Sequence, residues 1–138
     1  MADLGPTAAN VVKQSGTQTA TGTYGETVTA GQAIYKKASD GLLYKAQCDG
    51  TTAEAAVVGI ALNSGSANQP ASYATSGLLT LGAVTAGAAG VAVALSATAG
   101  GLCPDGDIAS TNYYTAIGVL TSATVIQIAL NVTGVQHA

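Results

Sequence analysis

The residues of this chain that could do chemistry are few and far apart. Asp105 and Asp107 flank Gly106, with Pro104 just before them. Carboxylates so spaced in a β-loop can hold a weakly bound Ca²⁺, yet Pro-Asp-Gly-Asp is equally the chemistry of a tight turn, and the turn is the role expected here. Cys48, Cys103 and His137 are the soft ligands, and a zinc site within one chain asks for four. No metal or cofactor is therefore expected. A Ser-His-Asp or Cys-His engine needs its histidine held by a third group in a cleft, and His137 is the second-to-last residue. No Gly-x-Ser-x-Gly elbow occurs, and no glycine-rich loop ends in Lys-Ser or Lys-Thr. Gly82, Gly87 and Gly90 lie in an Ala-rich stretch without the helix and downstream acid of a dinucleotide site. The expectation is a protein that is not an enzyme and takes no small-molecule substrate.

Tyr113-Tyr114 could stack on sugars. Neighbours on a strand point to opposite faces, so one is expected in the core and the other at a subunit interface. Cys48 and Cys103 each sit at a strand-like position beside a turn and are expected as free thiols. The N-terminus has neither a basic nor an apolar leader region, and no run of about 18 apolar residues occurs. Synthesis in a cytoplasm and no membrane partner are expected on that basis.

Charge is scarce. Four Lys, no Arg and seven Asp plus Glu give a net charge of -3, with 8% of residues charged, against roughly 25% in ordinary domains. Nucleic acid is disfavoured as a partner, because a phosphate-binding face needs clustered cations and Lys36-Lys37 with Lys45 is the one local excess. A surface rich in Thr, Ser, Asn, Gly and Ala suits contact with another protein, since little has to be desolvated. The chain also lacks Phe and Trp, which usually dominate core burial. Burial against other subunits would make good that deficit.

The elements that would position these residues are short strands between glycine turns. Residues 1–23, rich in Thr, Gly, Ser and Gln, read as an extended arm that is poorly ordered alone, ahead of a single β domain over 24–138. Deleting residues 2–20 is accordingly expected to leave the domain folded. Gln32 to Lys37, the turn Ser39-Asp40-Gly41 and Leu42 to Gln47 form a hairpin. Thr51 and Glu54 have capping-box spacing and open one short helix. Val57 to Leu62 is a strand. Ser72 to Ala74 and Leu78 to Leu81 read as two strands broken at Ser76-Gly77, and Val91 to Leu95 with Leu102-Cys103 as a second hairpin. Asn112 to Leu120 and Thr124 to Val132 close the domain.

The two hairpins belong to a repeat. Val28-Thr29-Ala30-Gly31 returns as Val84-Thr85-Ala86-Gly87, Gly41-Leu42 as Gly101-Leu102, and Val58-Gly59-Ile60 as Ile117-Gly118-Val119, so that about 28–62 is duplicated at 84–120. Strands at this spacing predict an all-β fold, a small antiparallel barrel or sandwich built from a duplicated β-unit.

The order Val12-Lys13-Gln14-Ser15-Gly16, Gly31-Gln32-Ala33-Ile34-Tyr35, Val57 to Leu62, Leu95 to Leu102 and Ile117-Gly118-Val119 resembles the capsid decoration, or cement, proteins of tailed bacteriophages. The resemblance spans about Val11 to Asn131. It implies a virion protein on the outer surface of the expanded head, commonly a homotrimer, whose partner is the major capsid protein. On that reading the arm supplies capsid contacts at Leu4, Pro6, Thr7, Val11, Val12 and Lys13, and Tyr113 and Tyr114 lie at the subunit interface. The alternative is a glycan- or receptor-binding β module of a tail or cell surface, using Tyr113, Tyr114 and the 63–70 loop.

Overall fold

The computed structural model describes residues 3–82, 84, 88–108 and 111–136. The chain runs through β1 (Val12–Lys13), β2 (Gln18–Thr23), β3 (Ala33–Lys36), β4 (Leu43–Lys45), β5 (Val57–Ala61), β6 (Pro70–Thr80), β7 (Ala92–Leu95), β8 (Leu102–Pro104), β9 (Tyr113–Leu120) and β10 (Val125–Gln136). All of these strands pair antiparallel in one curled sheet, a half-barrel ordered β4-β3-β5-β6-β10-β9-β7-β8, with β1 and β2 added along β6. Among the described residues, helical structure is confined to 3-10 turns at Ala8–Asn10 and Asp105–Asp107.

The duplication holds at the level of register. Ile34 pairs with Gly59, a bulge follows, and Tyr35 then pairs with Val57. Shifted by 59 positions, Val93 pairs with Gly118, the bulge recurs, and Ala94 pairs with Ala116. The β3–β4 and β7–β8 hairpins match in the same way, Tyr35 opposite Tyr44 and Ala94 opposite Cys103. Both glycines are dictated by close approach. A Cβ on Gly59 would strike the carbonyl oxygen of Ala74, and one on Gly118 that of Gln127. Each bulged strand thus lies too near its neighbour for a side chain. The second Val-Thr-Ala-Gly copy falls largely outside the described residues.

Three sequence expectations change. The short helix at Thr51 closes as one turn: Glu54 Oε1 accepts from Thr51 N at 3.1 Å, Thr51 Oγ1 accepts from Glu54 N at 3.3 Å, and Ala55 N reaches Thr51 O at 3.2 Å. Val57 then enters β5, and β-branched residues end the helical path. The two strands expected around Ser76-Gly77 are one strand, β6, because Gly77 takes φ +91° inside it and acts as a kink rather than a turn.

The third change concerns residues 3–23. Ala74 pairs with both Ile60 and Thr19, and Leu79 with both Ile126 and Lys13. A strand that long needs hydrogen-bonding neighbours along both edges, and the N-terminal segment supplies one of them. It is extended, as its Thr-rich composition suggests, but built into the sheet. Leu4 is wholly buried, and its N–H donates to Leu102 O at 2.7 Å.

The core has no large aromatic ring other than tyrosine. Leu4, Leu79, Leu81, Leu95, Leu102, Ile60, Ile117, Leu120 and Ile126 fill one continuous cluster across both repeats. Tyr24 with Val28, Ile34 and Leu43 fills a second. Backbone bonds outside the ladders tie the halves together: Ala33 N to Gly100 O at 2.9 Å, Gly100 N to Ala46 O at 2.6 Å and Cys48 N to Ser96 O at 3.0 Å.

Candidate functional site

The residues expected to contact a capsid divide by face. Leu4 is fully buried and Val11 is 7% exposed, both within the main core. Pro6 is half-buried and, with Val11, lies over Gly31. These side chains hold the segment down, so Leu4 and Val11 are anchors of the fold and present no outward surface. Thr7 and Lys13 are exposed, and Val12 is 56% exposed. Alternation at the start of β1 sends Val11 inward and Val12 outward. The outward residues of the strip are therefore Thr7, Val12 and Lys13.

Tyr113 and Tyr114 do point to opposite faces. Tyr113 packs half-buried against the main core, and its N–H donates to Cys48 O at 2.8 Å. Tyr114 packs on the small cluster of Ala94, Cys103 and Ile108. Its hydroxyl bonds to the Asp105 carboxylate, and that bond, aided by burial and the carboxylate charge, pushes the phenol pKa up to about 12. Asp105 thus serves to fix a tyrosine at the Asp105–Asp107 turn. No group of three or more His, Cys, Asp or Glu side chains able to hold a metal occurs among the described residues. His137 lies outside them.

The remaining titratable groups are structural. Cys48 and Cys103 are fully buried and not joined in a disulfide. Burial, with the neighbouring Asp49 charge, raises the Cys48 thiol above its usual range and keeps it a poor nucleophile. Tyr24 donates to the Asn63 carbonyl at 2.7 Å, and burial lifts its pKa to about 12. At the β3–β4 turn Asp40 accepts from Tyr44 Oη at 2.7 Å and from Leu42 N at 2.9 Å. Those bonds hold its carboxyl below the usual range. The Lys37 ammonium lies 4.9 Å from the Tyr44 ring centre, so this member of the local lysine group is engaged with its own hairpin.

A cavity of about 190 Å³ opens where the N-terminal segment meets the turns of both repeats, lined by Asp3, Pro6, Thr29, Gln32, Thr98 and neighbouring glycines. It is smaller than the roughly 300 Å³ at which ligand pockets begin. Two of its polar atoms are held within the fold: Asp3 Oδ1 accepts from Ser96 Oγ at 2.5 Å, and Gln32 Oε1 accepts from Thr29 N at 3.0 Å. The cavity reads as a seam between the repeats.

Apart from scattered charges such as Lys13, Lys36, Lys37, Asp40 and Asp49, the described residues present outward mainly strand edge and small uncharged side chains. Among the described residues, the exposed large apolar side chains are Val12, Val119, Val132 and Val135. Two of them lie on the end of β10, where Asn131 to Gln136 are all exposed and pair with β9 alone among the described strands. The sequence marks this segment only as the end of the last strand, Thr124 to Val132, because it carries neither the alternation nor the charge that marks a functional surface. No protein-family model matches the chain, and no curated protein matches it either.

Proposed function

We propose that this chain is a structural virion protein that binds the outer surface of a tailed-phage capsid, through the major capsid protein, and stabilises the expanded head as a homo-oligomer, expected to be a trimer. The observation that carries the reading is the surface itself. A small duplicated β-unit turns outward uncharged strand edges and valines, while its few reactive groups are spent inside on turns and packing. Such a surface meets another protein at little desolvation cost. A coat of many copies adds modest contacts through multivalency, which suits a shell resisting internal pressure. The resemblance of Val12 to Gly16, Gly31 to Tyr35 and Leu95 to Leu102 to decoration proteins supports the same reading. The outward strip Thr7, Val12 and Lys13 is the part of the N-terminal segment open to such a contact.

The test is co-sedimentation of purified protein with expanded heads that lack it. Binding that saturates on expanded heads is the expected result. A glycan module would ignore the heads and be retained on a sugar resin, and that result would replace this reading with the alternative.

A further inference from the structure

Among the described strands, the free edges of the half-barrel are of two kinds. Three are short and guarded in the way that blocks pairing with a stranger: β1 is two residues and carries Lys13, β4 is three and ends in Lys45, and β8 is three and ends in Pro104. The other two carry neither lysine nor proline, and within the second a bulge separates Val132 from Gln136 and the Val135 N–H is donated to Thr133 Oγ1 at 3.2 Å, so that its open run is Asn131 to Thr133. β2, Gln18 to Thr23, pairs with β6 alone. The end of β10, Asn131 to Gln136, pairs with β9 alone. Neither stretch contains a charge or a proline in a chain of net charge -3, so two copies can meet there without bringing like charges together.

We propose that β2 of one copy pairs edge to edge with the end of β10 of the next, so that copies join head to tail into a closed ring. The occupant of each edge is a second copy of this chain. A lone protomer would leave two uncharged strand edges open to solvent, a recognised route to aggregation. An isologous pair, β10 on β10, would cover one edge and leave β2 open. A heterologous contact uses both at once, and it closes into a ring when the rotation allows. Val132 and Val135, 42% and 63% exposed, would be covered by the Thr and Gln side chains of β2. The bulge between Val132 and Gln136, with Gly134 at φ +67°, fixes the register to the segment before it.

This rests on the reading of the chain as a self-associating coat subunit, but its test needs no capsid, so failure of head binding and failure of edge pairing are separately visible. Thr21→Cys and Val132→Cys are made singly and together, and treated with a short bis-maleimide; Cys48 and Cys103 are buried and do not compete. The double variant should give a covalent ladder ending at the ring, and an equimolar mixture of the single variants a covalent dimer. Each single variant alone should give nothing. Cross-linking of Val132→Cys alone would show an isologous contact and overturn the proposal. So would an oligomer in which no variant cross-links, or a wild-type monomer at micromolar concentration. As a second reading, Val132→Lys should keep the β signature in circular dichroism yet raise the concentration for half-assembly roughly tenfold or more, whereas Val119→Lys should not. Equal effects of the two would also overturn it.

Discussion

Gly59 and Gly118 are where a single atom matters most. Each sits at the equivalent bulge of its repeat, with a neighbouring carbonyl occupying the place of a Cβ. Gly59→Ala and Gly118→Ala should each destabilise the fold by about 2 kcal/mol or more, because backbone, unlike a flexible side chain, cannot step aside. Urea unfolding of both variants checks this, and unequal losses would mean that the two repeats are not mechanically equivalent. Tyr24 and Tyr114 give a pH signature. Their folded pKa values of about 12 lie above the ordinary 10. Folding therefore favours the protonated phenols. The contribution is fully present below pH 10 and is lost as pH rises from about 10 to about 12. The melting temperature should fall over that window, and Tyr24→Phe together with Tyr114→Phe should flatten the fall while lowering stability at neutral pH. The thiols supply a third check. Cys48 and Cys103 should resist alkylation in the folded protein and both react after unfolding without reductant.

At the scale of elements, the N-terminal segment behaves as two edge strands and an anchor. Leu4→Ala should cost about 3 kcal/mol, as for other fully buried leucines. Removing residues 2–20 should lower the melting temperature sharply instead of leaving the domain intact, since it strips one side of β6 and opens the core at Leu79. Thermal unfolding of the truncated chain decides the matter; an unchanged transition would return the segment to the status of a free arm. The reason the sequence misleads here is physical. A stretch with Leu4, Val11 and Val12 as its apolar residues looks too poor to fold alone, and it does not fold alone: its hydrogen bonds go to β6, a partner some 60 residues away. Local signals served better where the pairing is local. The Ser39-Asp40-Gly41 turn, both hairpins and the β10 alternation that buries Ile126 and Ile128 were all legible. The Thr51–Glu54 box was legible too, but the length of its helix was set by β5. The outward end of β10 was not legible as a surface, because exposure of Val132 and Val135 depends on where β6 stops pairing.

At the scale of the whole molecule, a light core meets an exterior that is poor in charge. A domain without Phe or Trp has a light core, and any surface it covered on another protein would add to its stability. Association of copies and attachment to a shell are two uses of the same property, and a coat protein needs both. Many copies each adding a small contact would raise the resistance of the shell without any one contact being strong. The most direct measurement is the temperature at which DNA-filled, expanded heads assembled without this protein release their DNA, followed by a dye as protein is added back. The account predicts that the release temperature climbs with occupancy and levels off when the outer sites are full. A release temperature that stays at the bare-head value while the protein remains in the supernatant would contradict it.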